Sequence, residues 1–218
     1  LKIPQHWTFK TAEVAAGFDE HVREQLPWYD LATEFCSHIA AHYIPERGLV
    51  YDIGASTGNI TRALRSTLEA QNARAVSIDP SSEMLANFRG YGDFEVADAQ
   101  RFEYAQFDVA ILFLSLMFIP VSARVPLLQR LRTLARPGGA IIVFDKTLPS
   151  RGQLGTANAR FGALKKIQAG ATAEKLYQKD MSLIGVQRPI ALASLPNAQE
   201  IFRFGDFVGL IEEIPETQ

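Results

Sequence analysis

The sequence has a single cysteine, Cys36, in 218 residues. An internal disulfide is therefore excluded, and a reducing, cytoplasmic setting is expected. Neither charge is in excess: 22 Lys and Arg stand against 24 Asp and Glu, for a net charge of −2. No global basic field advertises nucleic-acid binding, although a local patch is compatible with that balance. No apolar run reaches transmembrane length, so no membrane partner is expected. No secretory pattern is read in the opening residues. Internal repeats and low-complexity segments are lacking as well. Histidines number four. His38 and His42 share a helix face near Cys36, but no second ligand cluster supports a closed site, so no metal is expected. Cys36 reads as a small core residue.

What is present is a balanced composition, 47% hydrophobic and 21% charged. That is enough apolar material for one domain over residues 1–218 that folds without staples. The first 45 residues read as a helical cap: Val14, Phe18, Val22 and Leu26 recur at helical spacing, and Leu31, Phe35, Ile39 and Tyr43 do so after Pro27. Apolar strands then alternate with helical segments. The strands are Leu49 to Ile53, Ala75 to Asp79, Phe94 to Ala97, Phe107 to Leu114, and Gly139 to Phe144. The last is entered through a turn at Arg136-Pro137-Gly138-Gly139. Thr61 to Leu68, Glu83 to Phe88 and Val121 to Ala135 are the intervening helices. Doubly buried strands alternating with helices predict a parallel sheet with right-handed crossovers. Residues 149–185 become helical and more polar, an insert after strand five. Two aromatic runs around Gly205-Asp206 predict a closing hairpin.

The richest stretch is Asp52-Ile53-Gly54-Ala55-Ser56-Thr57-Gly58. A strand, a Gly-rich turn and a helix start form a nucleotide-binding corner. The spacing is D-x-G-x-x-x-G rather than the dinucleotide G-x-G-x-x-G, and Gly54 and Gly58 are the points where backbone can approach a ligand. This motif resembles the first motif of class I S-adenosylmethionine (SAM) methyltransferases. The resemblance implies a Rossmann-like, mostly parallel seven-stranded sheet and SAM or S-adenosylhomocysteine as cofactor. Asp79 ends the second strand, where a carboxylate can accept both ribose hydroxyls; the alternative is a helix N-cap, a role Ser81 or Ser82 could also fill. Asp98 follows strand three, where this fold class meets the adenine amino group; the alternative is a solvated loop aspartate. Asp52 suits the cofactor's ammonium group or a brace for the loop. Ser56, Thr57 and the backbone near Gly54 suit its carboxylate. Ala55, Pro80 and Ala99 flank these anchors and complete the expected cofactor set with Tyr29 and Phe113.

Further residues narrow the resemblance. Phe18-Asp19-Glu20-His21-Val22, Leu26-Pro27-Trp28-Tyr29, Val50-Tyr51-Asp52-Ile53-Gly54, Pro137-Gly138-Gly139-Ala140 with Lys146, and Phe202-Arg203-Phe204-Gly205 resemble motifs of the carboxy-SAM synthase family. Those enzymes make carboxy-SAM for tRNA wobble-uridine modification. The resemblance places Tyr29 over the cofactor and makes a homodimer through the insert an expectation. Three departures stand against the special chemistry. Where the family has Gln-Lys-Arg, with the arginine pairing the added carboxylate, this chain has Gln178-Lys179-Asp180, and an aspartate there repels a carboxylate. Lys179 or Arg188 are the cations left to compensate. Phe113 falls where the family has asparagine. The segment before the final hairpin is short, so the last crossover helix is reduced.

Carboxy-SAM is therefore disfavoured, and methyl transfer from SAM to an unidentified small-molecule or tRNA-related acceptor is the favoured reading. The alternatives are a synthase acting on SAM and prephenate, and a non-catalytic SAM-binding or partner-binding module. No Asn/Asp-Pro-Pro-Tyr/Phe tetrapeptide follows strand four and no Pro-Cys pair exists, which argues against methylation of DNA bases. No catalytic base is assigned. Acceptor-side candidates are His21, Tyr29, Phe113, Ser115, Lys146 and Tyr177, with a surface position for His21, a solvated strand end for Lys146 and helix packing for Tyr177 as the alternatives. Lys165-Lys166 reads as a solvated face.

Overall fold

The alternation of apolar strands and helical segments closes into one sheet, seen in a computed structural model that describes residues 3–216. Residues 3–11 carry no helix, although the whole opening stretch reads as helical; they form an extended strap. Trp7 N–H donates to Ser182 O (2.9 Å) and Phe9 O accepts from Ser81 Oγ (2.8 Å), so the strap spans two distant parts of the molecule. Three helices follow: α1 (Ala12–Ala16), capped by Thr11, then α2 (Phe18–Gln25) and α3 (Tyr29–Ala41). Pro27 lies in the break between the last two, as expected of a residue that cannot continue a helix.

The alternating part runs β1 (Leu49–Ile53), α4 (Asn59–Ala63), α5 (Arg65–Ala70), β2 (Arg74–Asp79), α6 (Ser82–Ala86), β3 (Asp93–Val96), β4 (Phe107–Phe113), α7 (Val121–Leu134) and β5 (Ala135–Lys146). The helix expected over Thr61 to Leu68 is two short ones, separated at the buried Leu64, whose ψ of −6° opens the turn. Two insert helices, α8 (Gly152–Gln168) and α9 (Ala173–Ser182), precede the hairpin β6 (Gln199–Phe204) and β7 (Phe207–Glu213). Between α9 and β6 lies only a single 3-10 turn, Leu192–Ser194, so no crossover helix precedes the hairpin.

The sheet order is β3-β2-β1-β4-β5-β7-β6. β3 to β5 are mutually parallel, and β7 pairs antiparallel with both β5 and β6. The strand period of two sorts the apolar side chains onto two faces. Val109, Ile111 and Phe113 of β4 face the N-terminal helices, while Ala110 and Leu112 face α7 through Leu127, Leu128 and Leu131. Trp28 packs on Phe202, Phe204 and Phe207, which fastens the cap to the hairpin. Among the described residues no helix is long and apolar enough to cross a membrane.

The turn read at Arg136 to Gly139 lies inside β5. Phe107 pairs with Ala135 and Val109 with Ala140, so those four residues form a bulge in a continuous strand. Asp108 makes this possible. Its carboxylate accepts from Leu49 N–H (2.7 Å) and from the Arg136 guanidinium (2.7 Å), joining the bulge to the start of β1. Asp108→Ala leaves the Leu49 donor unpaired and frees Arg136. A loss of about 1–3 kcal/mol is expected in urea unfolding; an unchanged midpoint would show that the bulge holds itself.

Candidate active site

β1 and β4 are parallel neighbours whose onward connections run to opposite sides, to β2 and to β5, and the crevice outside their carboxyl ends is where open α/β sheets bind ligands. A cavity of about 1190 Å³ lies there. The ends of β1, β2, β4 and β5 supply Asp52, Asp79, Phe113 and Lys146 to its wall, and the strap, α2, α8 and α9 enclose it.

The turn after β1 is built around positive φ angles at Gly54 (79°), Ser56 (49°) and Gly58 (83°). Four of its backbone donors are already used. Gly54 and Ala55 N–H both donate to Ile78 O, Ser56 N–H to Asp79 Oδ2 (3.0 Å), and Gly58 N–H to Ala55 O. The Gly54 and Ala55 N–H groups themselves are therefore taken up by the sheet. The expectation that both glycines admit a ligand is met in position by Gly54 alone. A side chain on Gly54 would collide with Ser115, and one on Gly58 with Phe88 and Gly90. Gly54 still borders the cavity, whereas Gly58 does not. Thr57 also faces away, donating to Asp19 (2.6 Å), which in turn accepts from Asn59 (2.9 Å) and holds α2 against the turn.

Asp52 is 1% exposed, and its Oδ2 has no hydrogen-bond partner. Burial, reinforced by the nearby Asp79, pushes its carboxyl up to about 7. Asp79 is buried too. Ser56 N–H and Ser81 N–H (2.9 Å) donate to its two oxygens and oppose the upward push of burial. It is not the N-cap of α6: Ser81 is, accepting from Met84 N–H. Ala55, Ser56 and Pro80 line the wall beside the two aspartates. Asp98 and Ala99 lie on the rim, where the exposed Asp98 carboxylate accepts from Gln100 N–H (2.8 Å) and Nε2 (3.0 Å). Tyr29 is buried edge-on against Phe113 at 5.6 Å, under the Arg23 guanidinium, and burial raises its phenol. Ser115 donates to Ile53 O (2.6 Å) on the same wall.

Three acceptor-side readings change. His21 is not on the surface: it is 7% exposed, stacked on Trp7 at 5.2 Å, with Nε2 unpartnered, and burial lowers it to about 4. Tyr177 is 66% exposed and away from the cavity. Lys165 and Lys166 are not a solvated face but part of the cavity wall. Arg188 is engaged through its backbone and does not reach the wall, whereas Lys179 and Asp180 do. His38 and His42 meet edge-on at 5.0 Å, and no group of three or more ligating residues suited to a metal occurs among the described residues.

The wall also contains residues that no sequence pattern singles out. Trp7, Phe9 and Phe118 form an edge-on aromatic cluster across the opening, with Phe9 and Phe118 at 5.0 Å. Arg124 of α7 donates to the carbonyls of Met117, Ile119, Arg188 and Pro189, fixing the loops beneath that cluster.

Residues 50–139 match the family model described as a methyltransferase domain. The carboxy-S-adenosyl-L-methionine synthase of Staphylococcus epidermidis is 27% identical over 225 residues, 95% of this chain and 97% of that protein. The synthase of Wolinella succinogenes is 35% identical over 143 residues, 62% of this chain and 60% of its own length. Among solved structures, the DhpI–SAH complex covers 94% of both chains with a TM-score of 0.60 at 16% identity. Human N-acetylserotonin methyltransferase in complex with SAM gives 0.60 at 15% identity, over 94% of this chain and 57% of that one. Residues 50–139 are thus similar to a methyltransferase domain, the chain shares the fold of solved SAM- and SAH-bound methyltransferases, and its sequence is similar to those of carboxy-S-adenosyl-L-methionine synthases.

Proposed function

We propose that this chain transfers a methyl group from SAM to an acceptor held in the same cavity. The observation that carries the reading is the buried Asp52 carboxylate at the end of β1, whose Oδ2 has no hydrogen-bond partner. A buried carboxylate with an unpaired oxygen and no charged partner is costly to ionise unless a cation arrives to pair with it. The cofactor's ammonium group is such a cation. Asp79, one strand away, has lone pairs left for ribose hydroxyls after accepting from Ser56 and Ser81. Asp98 and Ala99, which also line the cavity, are assigned to the adenine. When bound, the sulfonium supplies an already activated methyl group. The chain's own task is then to orient an acceptor in line with it and to exclude water. Tyr29, Phe113 and the Trp7–Phe9–Phe118 cluster provide the apolar walls for that purpose.

Calorimetric titration with SAM and S-adenosylhomocysteine tests the reading, and failure to bind either overturns it. Asp79→Ala is expected to weaken SAM binding by about 1–3 kcal/mol, the scale of lost charge-assisted hydrogen bonds. Unchanged affinity would leave Asp79 as a brace for the turn alone. A second reading, synthesis of carboxy-SAM from SAM and prephenate, is favoured by the 27% identity over 95% of the chain. Asp180 on the cavity wall weighs against it. Mass spectrometry of the products separates the two: a carboxyl mass added to the cofactor overturns simple methyl transfer.

A further inference from the structure

We propose that Lys146, Lys166 and Lys179 form an oxyanion subsite that binds a carboxylate or phosphate group on the acceptor, whose remaining body is apolar or aromatic. The proposal rests on the methyl-transfer reading above. The three lysines come from separate elements, the end of β5, α8 and α9, yet all reach one cavity wall. All three are half-buried. Every ion pair among the described residues uses an arginine, so none of these lysines has a carboxylate partner.

Their environment is unfavourable to charge. Burial, and after it Lys146, lowers Lys166; burial, and after it Lys166, lowers Lys179 to about 6. Each of the three amines thus disfavours the charged form of the next. Asp180 opposes this only at Lys166. The Asp206 carboxylate on the same wall accepts from Ser150 N–H (3.1 Å). Asp52 and Asp79 lie at the ends of β1 and β2, on the cofactor side. The cofactor side of the cavity thus holds Asp52 and Asp79, with Lys10 beside Asp79, while Lys146, Lys166 and Lys179 gather on the opposite wall without an ion-pair partner. Lys179 is also held in place, its ammonium over the face of Trp7, which is itself fixed by Ser182. Gathering like charges on a part-buried wall destabilises the empty protein, and an entering oxyanion relieves that cost. Phe9, Phe118, Phe161 and Phe204 around the lysines supply the apolar surface for the rest of the acceptor.

Benzoate and its neutral isostere benzamide serve as probes, titrated into protein with and without saturating S-adenosylhomocysteine. Benzoate is expected to bind at least about tenfold more tightly than benzamide, a charge-assisted gain. Lys166→Gln and Lys179→Gln should each reduce benzoate affinity about tenfold while leaving S-adenosylhomocysteine affinity within about twofold. The wild-type comparison decides the matter even if a variant fails to fold. A second signature is proton uptake. At pH 7.5 an incoming anion raises Lys179, whose charged and titratable neighbours are Lys166 on α8, His21 on α2 and the adjacent Asp180. Buffer-dependent enthalpies should therefore show uptake that Lys179→Gln largely removes. Equal affinity for benzoate and benzamide, or benzoate affinity untouched by both substitutions, overturns the proposal. If carboxy-SAM binds about tenfold more tightly than SAM, loses that advantage in Lys179→Gln and excludes benzoate, the oxyanion belongs to the cofactor and the proposal is again overturned. Absence of S-adenosylhomocysteine binding strikes the methyl-transfer reading instead, while the cofactor-free titrations still decide the subsite.

Discussion

Asp52→Asn is expected to weaken SAM binding by ten- to a hundredfold or more and, at the same time, to make the ligand-free protein more stable at pH 8. The two effects share one cause. The carboxyl sits at about 7 in the folded chain against an ordinary value of 3.8. A raised folded value means that the folded state binds the proton more tightly than the unfolded one. The contribution to stability is complete below pH 3.8 and is lost as pH rises through 7. Above that the ionised group carries a deficit of about 4 kcal/mol, three units at 1.36 kcal/mol each. Asparagine removes the charge but leaves a buried polar group, so a gain of roughly 2 kcal/mol is the realistic expectation. Asp145 titrates over the same range with the same sign, and burial is again the first cause. His21, lowered to about 4, acts oppositely, adding stability as pH rises from 4 to 6.5. The difference between wild type and variant cancels both. The gap in unfolding midpoint should therefore open between pH 4 and pH 7 and then stay level. On the ligand side, losing a charged hydrogen bond to an ammonium group costs about 1.5–3 kcal/mol. Equal stability at pH 8 together with unchanged SAM affinity would show that Asp52 is only a protonated brace.

Legibility in the sequence followed burial symmetry. β1, β2 and β4 are covered on both faces, so their apolar runs stand out and their ends place Asp52 and Asp79 within a residue or two. The insert was legible only as helical and polar, because α8 buries no residue and α9 only Ser182. The bulge at residues 136–139 was not, because Pro137, Gly138 and Gly139 spell a turn locally, and only the distant Asp108 and its pairing to Leu49 and Arg136 hold them in a strand. The strap at residues 3–11 has no period at all; it is fixed by two long-range hydrogen bonds. Lys166 and Tyr177 show the limit from the other side. Both lie on polar helices, and which flank meets the cavity depends on how α8 and α9 dock, a tertiary fact that no spacing encodes. Gly58 was recognised as a required glycine for the wrong neighbour. The requirement comes from Phe88 and Gly90, thirty residues on, and not from a ligand.

That distinction between the two glycines gives a second large expected effect. Gly54→Ala and Gly58→Ala both force a side chain onto a backbone with φ near 80°, at about 1–2 kcal/mol each. The added methyl at Gly54 overlaps the Ser115 side chain, whose Oγ lies 3.0 Å from it. Ser115 would have to move, breaking its bond to Ile53 O and shifting the wall beside Asp52. A total loss of about 3 kcal/mol is expected, with weaker SAM binding in the folded fraction. Adding Ser115→Gly removes the overlap and should restore roughly 1–2 kcal/mol, but not the backbone strain. At Gly58 the obstacles are the Phe88 ring and the backbone of Gly90, whose Cα would stand 2.6 Å and N 2.7 Å away. Deleting a side chain cannot remove a backbone, so Phe88→Ala should give no comparable rescue. Gly58→Ala is therefore expected to cost about 4 kcal/mol or more and to accumulate poorly, while whatever folds binds SAM as the wild type does. Urea unfolding and calorimetry on the four variants separate the cases. Rescue of Gly58→Ala by Phe88→Ala to the level seen at Gly54 would mean that Gly90 yields and that the second glycine of the motif is not pinned by main chain.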